Sequence, residues 1–305
     1  MCVSTLFHIR RKPNISLAIF PILCYTNPRK VVLLMEYGIN VKFFKNALGI
    51  KRAAELVAAA GFTQLDYTPY LLNDNWMDEL KEAMEIFSAN GLTVHQTHAP
   101  FNRYGNYGES LALCTDRCAE ATELMGAKFM VVHGDEFDFE NQEFSPEAAL
   151  DYNHNLFLPY VERAARNGYK IAFETVFEEN FKRRRRFTSD AGELLSLIRS
   201  YESKSAVCCW DFGHAHVAFR KNAPAVIRQF GDLIQCTHLH DNAGNDSHQM
   251  PLTGDINWQE TTAALKEIPY NGVLSVEYAH GSMPAYLAED FINLTCKTAK
   301  HIWTL

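Results

Sequence analysis

The chain has 305 residues, of which 47% are apolar and 21% charged, and its formal net charge is −7 at pH 7. This composition fits one α/β barrel or two smaller globular domains. The acidic balance argues against nucleic acid as a partner, because affinity for a duplex comes largely from Lys and Arg side chains that neutralise phosphates. The eight cysteines form no Cys-x-x-Cys pair, which favours reduced thiols in a cytoplasmic protein.

Residues 1–34 differ from the rest of the chain. A basic run is followed by an apolar stretch at 15–25, a pattern that resembles the first two parts of a signal peptide. Pro21 interrupts the stretch, which is also too short to cross a bilayer. We interpret these residues as an N-terminal extension outside the core fold, and we expect a catalytic domain over residues 35–305 and no membrane partner.

From residue 35 onward, short apolar runs alternate with stretches that have helical spacing or helix start and stop signals. The predicted strands are Tyr37–Phe44, Phe62–Thr68, Leu92–His98, Lys128–His133, Lys170–Glu174, Ala206–Asp211, Ile234–His240 and Gly272–Glu277. The predicted helices are Gly49–Ala60, Asn75–Ala89, Glu109–Met125, Pro146–Arg166, Asp190–Ser200, Pro224–Gly231, Trp258–Glu267 and Pro284–His301. About eight strand-then-helix units predict an α/β fold, the (β/α)8 TIM barrel.

Polar side chains that can bind a metal stand at the ends of most of these strands. In a barrel, the carboxyl ends of the strands meet at one face, so residues far apart in sequence converge there. A doubly wound open sheet is the main alternative. It would place its ligand at one switch point and would not use so many strand ends.

Glu174, Asp211 and Glu277 each follow an apolar run, and His238 and His240 point the same way if they lie in one strand. Taken alone, each residue is most simply a hydrogen-bonded or ion-paired group. Convergence changes this interpretation, because an inward-facing carboxylate is unfavourable unless it is paired or metal-bound. Carboxylates with a histidine suit a divalent ion such as Mn²⁺, Zn²⁺, Co²⁺ or Mg²⁺, and the sequence does not choose among them.

Six motifs occur in order along the chain. They are His98-Ala99-Pro100-Phe101, Val131-Val132-His133-Gly134, Phe173-Glu174-Thr175, Trp210-Asp211-Phe212-Gly213-His214, His238-Leu239-His240-Asp241-Asn242 and Val276-Glu277. As a set, they resemble the xylose-isomerase-like barrel superfamily. That group contains sugar and sugar-phosphate isomerases and epimerases together with endonuclease IV, and the resemblance covers essentially residues 35–305.

The resemblance implies a metal-dependent sugar or sugar-phosphate isomerase or epimerase, with Glu174, Asp211, His240 and Glu277 around one ion. The implied reaction is proton transfer by Glu174 and Glu277 through a metal-stabilised enediolate. His214 would hold a substrate oxygen. Dehydration of a keto-inositol-like substrate is a close variant, and a homo-oligomer is compatible with this interpretation.

The resemblance to endonuclease IV implies a second hypothesis, a zinc phosphodiesterase that acts at abasic DNA. It would add His98 and His133 as ligands of one zinc ion and His214, Asp246 and His248 as ligands of another, and His238 is a further candidate metal or substrate ligand. The acidic balance argues against this alternative. The segment Asp241–Trp258 also looks more like the sugar-isomerase members, so we favour an isomerase or epimerase.

A basic run, 182–186, follows the fifth predicted strand and would lie on the catalytic face of a barrel. A solvated loop is the simpler interpretation. The functional hypothesis is that Arg184 and Arg185 bind a phosphate or carboxylate of the substrate, because guanidinium groups pair with such anions through two hydrogen bonds.

Overall fold

A computed structural model describes residues 35–101, 107–138, 145–178, 184–278 and 284–305; at 136–138 and 184–185 it describes the backbone only. The predicted N-terminal extension, residues 1–34, lies outside the described residues. Within the described part, no helix is both long enough and apolar enough to span a bilayer.

The described residues form ten strands in chain order. They are β1 (Glu36–Asn40), β2 (Gln64–Asp66), β3 (Thr93–His98), β4 (Phe129–Val132), β5 (Glu136–Asp138), β6 (Lys170–Glu174), β7 (Arg184–Arg186), β8 (Ala206–Asp211), β9 (Ile234–His238) and β10 (Val273–Val276). All but β5 and β7 belong to one parallel sheet in the order β10-β1-β2-β3-β4-β6-β8-β9. The strands β5 and β7 form a separate antiparallel ribbon.

The sheet closes into a barrel between β9 and β10. Leu239 follows β9 and bridges to Val276 in parallel orientation. The N–H of Leu239 donates to the carbonyl of Ser275 at 2.7 Å, and the N–H of Glu277 donates to the carbonyl of Leu239 at 3.0 Å. This closed ring of parallel strands with helices between them confirms the predicted TIM barrel.

Ten α-helices surround the sheet in the described residues. They are α1 (Lys42–Leu48), α2 (Ile50–Ala60), α3 (Trp76–Ala89), α4 (Leu111–Met125), α5 (Pro146–Asn167), α6 (Ala191–Ser200), α7 (Phe212–Phe219), α8 (Ala223–Phe230), α9 (Trp258–Glu267) and α10 (Ala288–Thr304). The start of α5 illustrates why the helices form where they do. The side chain of Ser145 accepts the N–H of Ala148 at 3.2 Å, and Pro146 occupies the first helical position.

Two helices, α1 and α7, are absent from the sequence prediction, and each begins beside a polar side chain that accepts a backbone N–H. The first strand was predicted to run to Phe44, but it ends at Asn40, whose Oδ1 accepts the N–H of Lys42 at 3.0 Å as α1 begins. The sequence prediction placed no helix directly after Asp211. Instead, the carboxylate of Asp211 accepts the N–H of His214 at 2.6 Å and caps α7.

The barrel has an apolar floor, which is the part of its interior that precedes the carboxyl ends of the strands and is filled by side chains from four neighbouring strands. This buried cluster consists of Phe129, Val131, Ala172, Val207, Cys209 and Cys236. Because side chains alternate along a strand, the residue two positions after Cys209 shares its face, and that residue is Asp211. The packed floor therefore limits polar chemistry to the carboxyl ends of the strands.

Candidate metal centre

Four side chains from the carboxyl ends of the strands converge on one point, and we call them the carboxylate cluster: Glu174, Asp211, His238 and Glu277. Their ligand atoms all lie within 4.8 Å of one another. His238 Nδ1 lies 3.2 Å from a Glu277 oxygen, 3.4 Å from Glu174 Oε1 and 3.8 Å from Asp211 Oδ2. One imidazole nitrogen therefore faces three carboxylates.

The sequence analysis expected His240 in this set, whereas the structure places His238 there. Strand β9 ends at His238, which pairs in register with Asp211 of β8. Two residues along an extended chain correspond to about 6–7 Å, so His240 points to the same face but lies further from the floor. Its Nε2 lies 3.0 Å from Asp211 Oδ1, and its ring stacks on that of His248 at 3.8 Å.

His238 is oriented by a buried carboxylate that the sequence analysis did not single out. His238 Nε2 lies 3.0 Å from Asp66 Oδ2, and Gln96 Nε2 donates to the same oxygen at 3.2 Å. A carboxylate that holds one nitrogen of an imidazole leaves the other nitrogen for a metal, which is a common arrangement around metal-binding histidines. A sequence signal existed, since Asp66 ends β2 as the other acidic residues end their strands.

Glu174 is fully buried and, besides His238, contacts three further histidines. Its Oε2 lies 3.0 Å from His98 Nε2 and 3.1 Å from His133 Nε2. Its Oε1 lies 3.0 Å from His214 Nδ1, but that nitrogen is bonded to the backbone carbonyl of Thr175 at 3.1 Å. Oε1 is therefore left without a well-aligned hydrogen bond. An oxygen that is buried and unpaired in this way fits a cation, because burial of an unsatisfied charge is otherwise unfavourable.

The electrostatics of the carboxylate cluster also favour a cation. Burial alone would raise the pKa of Glu174, but the charges of His238 and His133 hold it well below its ordinary value. Burial acts to lower the pKa of His238, yet Glu277 and Glu174 hold it well above its ordinary value. The carboxylates thus stabilise positive charge at their centre, and a divalent ion is the group that supplies it most effectively.

A second group, the histidine cluster, lies beside the first and consists of His214, His240, Asp246 and His248. Asp246 Oδ1 lies 3.2 Å from His248 Nε2 and 3.7 Å from His214 Nε2. Burial acts to lower the pKa of His248, but Asp246 and Glu277 raise it to about 9. The Nδ1 of His240 is buried and has no hydrogen-bond partner among the described residues. The structure therefore brings together His214, Asp246 and His248, as the resemblance implied, and adds His240.

Gly213 leaves the space that His240 occupies. A Cβ atom at position 213 would lie 1.9 Å from His240 Cε1, which is far closer than such atoms approach. Gly213 lies in α7, and its lack of a side chain serves packing against His240.

Two cavities share the segment Ala99–Phe101 in their walls; one includes Glu277 of the carboxylate cluster, and the other includes His133, which contacts Glu174. The inner cavity, of about 400 Å³, is lined by Asn40, Lys42, Lys45, Asp66, Tyr67, Thr68, Pro69, Tyr70, Leu71, His98, Ala99, Pro100, Phe101, Tyr107 and Glu277. The side cavity, of about 460 Å³, is mainly apolar and includes His133 and Arg186. Both lie in the range of small-molecule pockets, roughly 300–1,000 Å³.

The predicted anion-binding pair, Arg184 and Arg185, lies in the ribbon strand β7. Their side chains are outside the described residues, so their role stays a prediction. The neighbouring Arg186 is described, and its guanidinium lies 5.3 Å from the centre of the Phe177 ring.

The chain is similar in sequence to a known family and to other proteins. Residues 54–295 match a family model described as a xylose isomerase-like TIM barrel. An uncharacterized protein of Methanocaldococcus jannaschii is 28% identical over 264 residues, which cover 81% of this chain and 85% of that protein.

Solved structures share the fold at low identity. The crystal structure of a D-tagatose 3-epimerase-like protein matches with a TM-score of 0.69 and 22% identity, covering 88% of this chain and 99% of that one. The 3-keto-D-glucoside 4-epimerase of E. coli matches with a TM-score of 0.67 and 18% identity, covering 86% and 99%. At these identities the likeness shows the fold alone.

Proposed function

Because the chain belongs to the xylose isomerase-like TIM barrel family, we propose that it is a divalent-metal-dependent sugar or sugar-phosphate isomerase or epimerase. The observation that carries the proposal is the carboxylate cluster, in which Glu174, Asp211, His238 and Glu277 offer ligand atoms within 4.8 Å of one another. The solved structures that share the fold are described as sugar epimerases or epimerase-like proteins, which supports this class of reaction.

The four residues of the carboxylate cluster would hold the ion, and Asp66 would keep His238 in the orientation that presents Nδ1. When bound, a divalent cation supplies positive charge beside a carbonyl and an adjacent hydroxyl of an open-chain sugar. This charge lowers the pKa of the C–H bond on the carbon that carries the hydroxyl. The protein's own residues must then remove that proton and return one.

Glu277 is the better placed of the two glutamates to remove the proton. Its side chain is 17% exposed and lines the inner cavity, whereas that of Glu174 is 1% exposed. Asn40 Nδ2 donates to Glu277 Oε1 at 3.3 Å, which fixes the carboxylate at the cavity wall. A general base must lie within hydrogen-bond reach of the proton that it abstracts, and this position meets that condition for a substrate in the cavity.

Glu174 would exchange a proton on the other side of the substrate carbon. Its contacts with His98, His133 and His214 give it neighbours from which a proton can come. Return of the proton by Glu174 inverts the carbon and gives an epimer, whereas return by Glu277 to the adjacent carbon gives an aldose–ketose isomer. His214 remains the proposed contact for a substrate oxygen.

The test is exchange of solvent deuterium into a panel of ketoses, followed by NMR with protein reconstituted separately with Mn²⁺, Zn²⁺, Co²⁺ or Mg²⁺. We expect deuterium at the carbon next to the carbonyl of at least one sugar, and no exchange after the metal is removed. Loss of water from a keto-inositol would appear in the same spectra as a new enol or alkene signal. Absence of exchange with every sugar and every ion would contradict the proposal.

A second candidate is a zinc phosphodiesterase of the endonuclease IV kind, and one observation favours it. The described residues contain three groups with metal-ligand spacing: His98–Glu174–His238, the carboxylate cluster, which shares Glu174 and His238 with it, and the histidine cluster beside them. Two or more adjacent ions can clamp both oxygens of a phosphate ester during displacement. The metal content separates the candidates, because the isomerase needs about one ion per chain and the phosphodiesterase about three. Cleavage of an abasic-site duplex by the zinc-loaded protein would support the second.

A further inference from the structure

The inner cavity has two chemically different ends. Its inner end contains Asp66, which is fully buried, and Glu277 of the carboxylate cluster. Its outer end contains Lys42, Lys45 and Tyr70, and the exposed Tyr70 and Lys42 mark it as the end that opens to solvent. A ligand whose reacting carbons lie at the inner end would therefore extend its tail toward two lysines.

Lys45 is held in place at this outer end. Its ammonium forms an ion pair with Glu79 and lies 4.1 Å from the centre of the Tyr70 ring. Glu79 Oε1 also accepts the hydroxyl of Tyr67 and the N–H of Tyr70, each at 3.4 Å. The lysine is thus ordered before any ligand arrives, although Glu79 offsets its charge.

Lys42 adds a positive charge that is not offset in the same way. Lys45 follows it by three positions on α1, so both side chains lie on one face of the helix. Lys42 is exposed, and none of the ion pairs in the described part of the chain includes it. Glu79 is paired with Lys45, so Lys42 offers this end an ammonium with no ion-pair partner among the described residues, in a protein whose overall charge is −7.

The start of α1 is also connected to the residue proposed as the base. Asn40 Oδ1 accepts the backbone N–H of Lys42 at 3.0 Å, while its Nδ2 donates to Glu277 at 3.3 Å. A single amide side chain therefore links the helix that carries both lysines to the carboxylate cluster. Asn40 therefore fixes the position of the start of α1 relative to Glu277 at the inner end of the cavity.

We propose that the outer end of the inner cavity binds an anionic terminal group of the substrate, a phosphate or a carboxylate, and that Lys42 is the residue that determines this specificity. The proposal rests on the proposed sugar chemistry, whose substrate would place its carbonyl at the inner end. An ammonium on a flexible stem binds such anions as a point charge. Tyr70 and the apolar wall of the cavity would pack against the carbon chain between the two ends.

Binding can be measured by calorimetry on the Mn²⁺-loaded protein, a readout that does not require turnover. The probes are D-fructose and D-ribulose, their terminal phosphate esters, and D-fructuronate as the carboxylate analogue. We expect the anionic forms to bind tighter than the parent sugars by about tenfold or more, the size of a charge-assisted contact. The relative affinities of the phosphate and carboxylate forms identify which anion the site prefers.

Three variants test the role of Lys42. Lys42→Met should remove most of the preference for the anionic probes and leave the affinity for the neutral sugars unchanged, whereas Lys42→Arg should retain the preference. Lys51→Met is the matched control, because Lys51 is also exposed but lies on α2 and lines neither cavity. Equal affinity for anionic and neutral probes in the unaltered protein, or equal effects of Lys42→Met and Lys51→Met, would overturn the inference.

The outcome is separable from that of the proposed reaction. A preference for anions that depends on Lys42, found without deuterium exchange into any probe, would leave the anion site standing and refute the sugar isomerisation. Exchange into neutral sugars with no preference for anions would do the reverse.

Discussion

His238 and Asp66 form a fully buried pair in which the imidazole Nε2 lies 3.0 Å from the carboxylate Oδ2. A neutral imidazole with its proton on Nε2 would donate to Asp66 and leave the lone pair of Nδ1 to a cation held among the three carboxylates of the carboxylate cluster. The pair joins β2 to β9, so a residue distant in sequence controls the only nitrogen ligand of that cluster.

Asp66→Asn should weaken metal binding by about 10- to 100-fold, the range seen when the partner of a metal-bound histidine is removed. The amide has nearly the same shape as the carboxylate but can present its N–H₂ to Nε2 and so favours the wrong tautomer. Titration with Mn²⁺ followed by electron paramagnetic resonance measures the affinity. Asp74→Asn, an exposed site, serves as the control, and equal affinities of the two variants would contradict the assigned role.

Glu277→Gln should lower the rate of deuterium exchange at saturating metal by about 10²- to 10⁴-fold, the usual contribution of a general base. The glutamine keeps the contact with Asn40 but cannot accept the proton. Exchange is followed by NMR, with Glu289→Gln, an exposed residue of α10, as the control. An unchanged rate would transfer the role of base to another residue.

Gly213→Ala should destabilise the fold by about 3 kcal/mol or more, because overpacking of a filled site forces neighbours to shift. The added methyl group would displace His240, which lies 1.9 Å from the position of the new Cβ. Urea unfolding measures the loss. Gly126→Ala is the comparison, since its φ is +64° with nothing within 4 Å, and strain alone should cost about 1 kcal/mol. Similar losses in the two variants would show that His240 moves away freely.

His95 should make the protein sensitive to acid. It is buried against Phe129, neither ring nitrogen has a partner among the described residues, and burial lowers its pKa to about 4. The unfolded chain protonates this imidazole near pH 6.5, so the stability contribution is complete above that pH and is lost as the pH falls toward 4. The loss amounts to about 3 kcal/mol.

His95→Leu should therefore flatten the dependence of unfolding free energy on pH between about 4 and 6.5. It should also raise stability at the acidic end, because two unpaired buried nitrogens are removed. Both proteins are compared without metal by urea unfolding at a series of pH values. His301→Leu, at an exposed site, is the control; parallel curves for His95→Leu and the unaltered protein would refute the prediction.

The barrel was predictable because its strands are short, apolar and regularly spaced. Lys170–Glu174, Ala206–Asp211 and Trp258–Glu267 have the same bounds in the prediction and in the structure. The end of the first strand depends on a single side-chain contact, that of Asn40 with the backbone of Lys42. Apolar periodicity contains no information about such contacts, so α1 was absorbed into the first predicted strand.

The types of residue in the site could be predicted from the sequence, but which of these residues lie together could not. Alternation along the chain places His238 and His240 on one face, and it cannot say which of them is level with the neighbouring carboxylates. That depends on the register of β9 against β8, which aligns His238 with Asp211. Asp66 was missed for a related reason, since its contact with His238 spans 172 positions of the sequence.

The bridge between Leu239 and Val276 has a consequence for how this site could change over time. The same residue that seals the ring of strands is also the spacer between two histidines that belong to different clusters. An inserted or deleted residue there would turn every following side chain to the opposite face. Such a change would break the contact that closes the ring of strands and would replace the ligands of the site at the same time. We therefore expect insertions and deletions among relatives to avoid this position.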